Sequence, residues 1–179
     1  MKTSDGLQSL REEYNKYDVG ENVIDNYGEF DFYLYKVIHG VDRQLEKAFN
    51  QIQENEKWKR RAKIKNKLPF LFPKENLEEF DYDNMLLIEI SNLAIYNLDF
   101  FHTIRDLSNE DNYQELNRLT NFLLDWFEKH YEYLELKRKT VDGNIEIDEN
   151  KYDYDLELIN DFANAELSKF EKQKQYSRS

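Results

Sequence analysis

The run Met85-Leu-Leu-Ile-Glu-Ile-Ser-Asn-Leu-Ala-Ile-Tyr-Asn-Leu-Asp-Phe-Phe-His-Thr-Ile-Arg-Asp-Leu107 decides the fold. Leu86, Ile90, Leu93, Phe100 or Phe101, Ile104 and Leu107 recur at the three- and four-residue steps of one helix face. Met85, Ile88, Ile95 and Leu98 widen that stripe around most of the circumference, which predicts a central helix covered on several sides. Glu89, Asn92, Asn97, Asp99, His102 and Arg105 break the run too often for it to span a bilayer.

The same periodicity extends outward from this segment. Upstream, Tyr33, Leu34, Val37, Ile38, Val41, Leu45, Ala48, Phe49 and Ile52 predict a helix from Phe30 to about Lys65. Gly40 stands in its middle and weakens the helix by about 1 kcal/mol relative to alanine, which leaves room for a kink or break there. Downstream, Leu116, Leu119, Phe122, Leu123, Trp126, Phe127, Tyr131 and Leu134 predict a helix over 113–136. Leu156, Ile159, Phe162, Ala163, Ala165, Leu167 and Phe170 predict another over 153–172. Thr140-Val141, the Asp142-Gly143 pair and the alternating Ile145 and Ile147 read as a small β-hairpin near 140–148. Phe70-Leu71-Phe72, between Pro69 and Pro73, reads as a chain reversal that caps one end of the core.

Composition agrees with this pattern. The chain has 179 residues with only 5 Gly and 2 Pro, too few for a turn-rich sandwich or barrel. Its 13 Tyr and 12 Phe rule out a fully disordered chain. The expected fold is therefore all-α, a bundle of about four to six helices. Residues 1–28 are expected to form an acidic N-terminal arm with one short helix, residues 29–172 the helical domain, and residues 173–179 a frayed tail.

An aromatic-aspartate pattern appears three times, at Phe30-Asp31-Phe32, Phe80-Asp81-Tyr82-Asp83 and Tyr152-Asp153-Tyr154-Asp155. Each stands where a helix is expected to begin. Aspartate can accept from the free amides of a first turn, and an aromatic just outside can staple onto it.

No nucleotide, hydrolase or kinase motif is present. The absence of cysteine removes disulfides, thiolate catalysis and cysteine zinc sites. No signal peptide is read at the start, so the expected location is the cytoplasm. Asp99, His102 and Asp106 lie at i, i+3, i+7 and share a helix face, a partial donor set for Zn, Mn or Fe that would make a helical metalloenzyme. The bland alternative is a hydrogen-bonded polar seam, and no cofactor is expected.

Charge is the stronger signal. The formal net charge is −12, from 25 basic and 37 acidic residues. Lys57-Trp-Lys-Arg-Arg-Ala-Lys-Ile-Lys-Asn-Lys67 holds seven of the bases and no acid, so every acidic residue lies elsewhere. Lys57, Trp58, Lys59, Arg60, Arg61, Lys63 and Lys65 could bind phosphates and stack a base, as in a nucleic-acid-associated subunit. They could equally pair with the chain's own acids. The acid-rich remainder either only solvates the surface or meets a basic, nucleic-acid-handling protein, imitating a phosphate backbone. Asp81, Asp83, Glu146, Asp148, Glu149, Asp153 and Asp155 are the expected contacts with that partner. Residue usage is that of an AT-rich genome, as in low-GC Gram-positive bacteria and their phages. Small acidic helical proteins of such origin are often inhibitors or anti-defence factors, and by that analogy this chain is expected to be a non-enzymatic inhibitor or regulator.

Overall fold

Asn26 starts the longest helix. Its Oδ1 accepts from the Glu29 amide at 2.9 Å, while Glu29 Oε2 reaches back to the Asp25 amide at 3.0 Å. The two bonds satisfy amides that a helix start leaves free. From there the computed structural model, which describes residues 3–17, 24–65, 77–140, 146–148 and 155–178, is an all-α bundle. Its helices are α1 (Thr3–Lys16), α2 (Tyr27–Lys65), α3 (Leu77–Leu107), α4 (Tyr113–Lys139) and α5 (Leu156–Tyr176). There is no strand among the described residues. Residues 141–145 of the expected hairpin lie outside them, as does the Phe70-Leu71-Phe72 reversal, and Glu146–Asp148 are in neither helix nor strand.

α2 runs 39 residues without interruption, about 58 Å at 1.5 Å per residue. Gly40 does not break it. The residue is exposed, and a Cβ built there meets nothing within 4 Å. Alanine fits this position and removes freedom from the unfolded chain. Gly40→Ala is expected to stabilise the protein by about 0.4–1 kcal/mol, read as a higher denaturant midpoint at unchanged m-value. A lower midpoint would show that this turn needs glycine.

α3 is the centre. Leu86, Leu87, Ile90, Leu93, Phe101 and Ile104 are almost wholly buried against α2, α4 and α5. Burial does not extend around the helix, however. Met85, Ile88 and Ile95 are 47%, 51% and 47% exposed, because no described element covers that side. Ser91, Asn97 and Thr120 are buried polar residues, and each donates to the carbonyl four residues back at 2.8–2.9 Å. That local bond lets a polar side chain sit inside a helical core.

Asn112 ends α3 and positions α4. Its Nδ2 donates to the Leu107 carbonyl at 2.9 Å, and its Oδ1 accepts from the Asn109 amide at 2.8 Å. The connection is therefore short, and α3 and α4 are antiparallel neighbours. α1 and α5 pack on each other and on this layer. The ring of Tyr14 meets Phe122 edge-on at 5.9 Å and Phe162 at 5.4 Å. Leu10 and Tyr14 thus belong to the common core, so the described part of the expected N-terminal arm is packed into the bundle. α5 also continues through Tyr176, past the expected end at 172, although its side chains from Glu171 onward are exposed.

The aromatic-aspartate pattern marks a helix start only once. Phe30-Asp31-Phe32 and Phe80-Asp81-Tyr82-Asp83 lie inside α2 and α3, whose starts are further upstream. Asp155 does cap α5, accepting from the Glu157 amide at 3.0 Å. Asp153 lies outside the described residues.

Candidate functional sites

The basic segment forms the last turns of α2, and the chain itself uses part of it. The Trp58 ring stacks on Phe80 at 4.8 Å and 22°, so it is not free to stack a base. Lys59 is paired with Asp81, and that bond raises its pKa above the usual lysine value. Lys57, Arg60, Arg61 and Lys63 are exposed, and Lys65 is the last residue of α2.

One turn below lies a polar network that joins three helices. Asn55 Nδ2 donates to Asp83 Oδ2 at 2.7 Å and to Asn84 Oδ1 at 3.1 Å. Arg138 Nε, from α4, donates to Asp83 Oδ1 at 2.7 Å, and its Nη1 donates to Glu135 at 2.9 Å. Burial opposes the charged guanidinium, but the two carboxylates more than offset it, and the Arg138 pKa lies above its usual value. Asp83 is therefore a structural anchor with side-chain exposure of only 24%.

The network borders an open cleft of about 390 Å³ between α2 and α4. Lys47, Glu54, Glu135 and Arg138 line it with both signs of charge over an apolar floor of Ala48 and Leu87. Among the described residues it contains no adjacent nucleophile and base, so the geometry does not specify a reaction.

Asp99, His102 and Asp106 share the exposed side of α3, as their spacing implies. No second element adds a donor: among the described residues, no group of three His, Cys, Asp or Glu side chains is placed to hold a metal ion. His130 is different. Burial and the nearby Lys137 push its pKa below the usual histidine value, and its Nδ1 has no hydrogen-bond partner. The unfolded chain takes up this proton near the ordinary value of about 6.5, and the folded chain only at lower pH. Stability is therefore full above about pH 6.5 and falls as pH drops through that value towards the folded pKa. His130→Leu is expected to flatten that part of the stability profile, measured by urea unfolding across pH. An unchanged slope would remove His130 as its source.

Of the remaining expected partner contacts, Glu146 and Asp148 are exposed, Asp155 is exposed while it caps α5, and Glu149 lies outside the described residues.

No family model, curated protein or solved structure matches this chain.

The structure adds a feature that composition hid. Tyr35, Phe49, Met85, Ile88, Ile95 and Tyr96 are large, apolar and exposed, all on α2 and α3. Periodicity marked most of them as apolar, but could not show that no element covers them. Around them, Asp42, Glu46, Glu56, Glu89, Asp99 and Asp106 are exposed, and no ion pair joins any of them to a basic group within the described residues. No helix among the described residues is long and apolar enough to cross a membrane.

Proposed function

We propose that this chain is a non-enzymatic acidic binding protein, acting in the cytoplasm, that regulates or inhibits a basic, nucleic-acid-handling protein. The observation that carries the reading is the uncompensated carboxylate surface. The chain's basic segment uses Lys59 on Asp81, yet the exposed Asp42, Glu46 and Glu56 on α2 and Glu89, Asp99 and Asp106 on α3 make no ion pair within the described residues. Such a surface attracts basic proteins and repels nucleic acid and anionic lipid. Glu146, Asp148 and Asp155 remain exposed candidates for the contact, while Asp83 is held by Arg138 and Asn55. The nucleic-acid alternative is weakened, because Trp58 is spent on Phe80 and Lys59 on Asp81. An inhibitor of phage or mobile-element type, imitating nucleic acid, is the narrower form of the reading.

The test is cross-linking and capture in the source cell, followed by measurement of the purified complex across salt. Exposed charge pairs are screened beyond about 8 Å at 0.15 M. The expected partner is basic and handles nucleic acid, and its complex weakens steeply as salt rises. A neutral or acidic partner, or a complex indifferent to salt, rejects the reading. The free chain is also expected not to bind duplex DNA at physiological salt. Tight binding lost on removing the charges of Arg60, Arg61 and Lys63 would favour the nucleic-acid alternative instead.

A further inference from the structure

The ion pair Asp31 to Arg105, at 3.6 Å, marks one end of the exposed seam between α2 and α3, and Lys59 to Asp81 marks the other. Seven-residue steps keep the same side of packed helices. From Asp31 those steps run through Ile38, Leu45 and Ile52 to Lys59, and from Arg105 they run back to Leu98. These four apolar side chains are partly buried and pack against the core. They form the floor of a groove. The next outward rows are its walls, with Tyr35 and Phe49 on α2 and Ile88 and Ile95 on α3, all exposed by 45–51%.

The rims of this groove are acidic. Asp42, Glu46 and Glu56 stand on the α2 side, and Glu89, Asp99 and Asp106 on the α3 side, all exposed. The exposed cations along the same stretch are fewer: Arg43, Lys57, Arg60, and Lys36, which lies over the Phe32 ring at 4.4 Å, while Arg105 is paired with Asp31. From Tyr35 to Ile52 the apolar strip is about 25 Å long at 1.5 Å per residue, the length of a helix of about five turns.

We propose that this groove is a docking site for a basic amphipathic helix of a partner protein. Apolar side chains at i, i+3, i+4 and i+7 would fill the floor, and flanking Lys and Arg would meet the two acidic rims. A second copy of this chain is a poor occupant, because a symmetric pairing would set acidic rims against each other. The proposal rests on the reading of the chain as a binder of basic partners, and it moves the centre of contact from the residues around Asp155 to the α2/α3 face.

A defined peptide tests the face without the cellular partner, so its failure is a separate result from failure of the cellular experiment. The probe is a helix of leucine and lysine of about 18 residues with that spacing, and the control is a scrambled peptide of the same composition. Binding is read by fluorescence anisotropy at low and physiological salt, with circular dichroism and melting curves confirming that each variant is folded. The amphipathic peptide is expected to bind at least about tenfold more tightly than the scrambled one. Ile88→Glu with Ile95→Glu should weaken it by about tenfold or more. Glu89→Lys with Asp99→Lys should weaken it and flatten its salt dependence. Glu171→Lys, on the exposed end of α5, should leave it unchanged. Absence of binding, equal binding of the scrambled peptide, or indifference to the Ile88 and Ile95 changes overturns the proposal. So does sedimentation as a dimer that Ile95→Glu dissociates, because the groove would then be filled by a second copy.

Discussion

Phe101→Ala is expected to lower the unfolding free energy by about 3–5 kcal/mol. Phe101 is wholly buried in the C-terminal third of α3, where neighbouring helices contribute to the same core. Truncation removes a ring's worth of burial and leaves a cavity that long, mutually braced helices cannot easily collapse. The loss is a large share of a typical domain's 5–15 kcal/mol, so a fall in melting temperature should be obvious. The informative comparison is Ile95→Ala on the same helix. Ile95 is 47% exposed, and its truncation should cost about 0.5 kcal/mol or less. Equal losses from the two changes would mean that α3 is covered on both sides.

Arg138→Met is expected to destabilise by about 1.5–3 kcal/mol, the range for losing hydrogen bonds to charged groups. The methionine keeps the stem's packing but leaves Asp83 and Glu135 without the guanidinium that holds them. Asp83 is only 24% exposed, so water compensates in part. Asp83→Asn retains an acceptor for Asn55 while removing the charge. In the Arg138→Met background it should therefore cost much less than it does alone, and the double-mutant cycle should return a coupling of about 1 kcal/mol or more. Chemical denaturation of the four proteins measures this. Additive effects would release Asp83 from its structural role and return it to the candidates for partner contact.

The helices were legible because their buried faces repeat. Leu86, Ile90, Leu93 and Ile104 announce α3, and Leu116, Leu123 and Phe127 announce α4, by spacing alone. The opposite side of α3 was misread for a physical reason. Met85, Ile88 and Ile95 are as apolar as core residues, and a hydrophobic pattern records preference for burial but not the presence of a neighbour. Gly40 leaves α2 unbroken, since its cost is real but small, and the packing of a 39-residue helix outweighs it. Helix starts were the weakest signal. Asn26 and Glu29 carry a capping pattern, but the aromatic-aspartate runs nearby imitate one from inside the helix.

The site was less legible than the fold. Local pattern gave the acidic and basic zones, and it marked the Tyr152–Asp155 run as a helix start, within which Asp155 is the cap. It could not give the ion pair of Arg138 with Asp83 or the stacking of Trp58 on Phe80, because these join side chains far apart in sequence. Those partners depend on the register between α2, α3 and α4, which emerges only when the helices pack.

The packing of α1 on α5 bears on the order in which the molecule is expected to assemble. Helices α2, α3 and α4 are consecutive and adjacent, so their contacts close shorter stretches of chain. Tyr14 and Phe162, by contrast, come from opposite ends of the sequence, and bringing them together closes a loop of nearly the whole chain. That closure is entropically the most expensive, and it gains most once the central helices already present Phe122 as a landing surface. The outer pair is therefore expected to join last and part first. In native-state hydrogen exchange, amides of α1 should open at lower free energy than those of α3, making the two terminal helices one cooperative unit hinged on an aromatic contact.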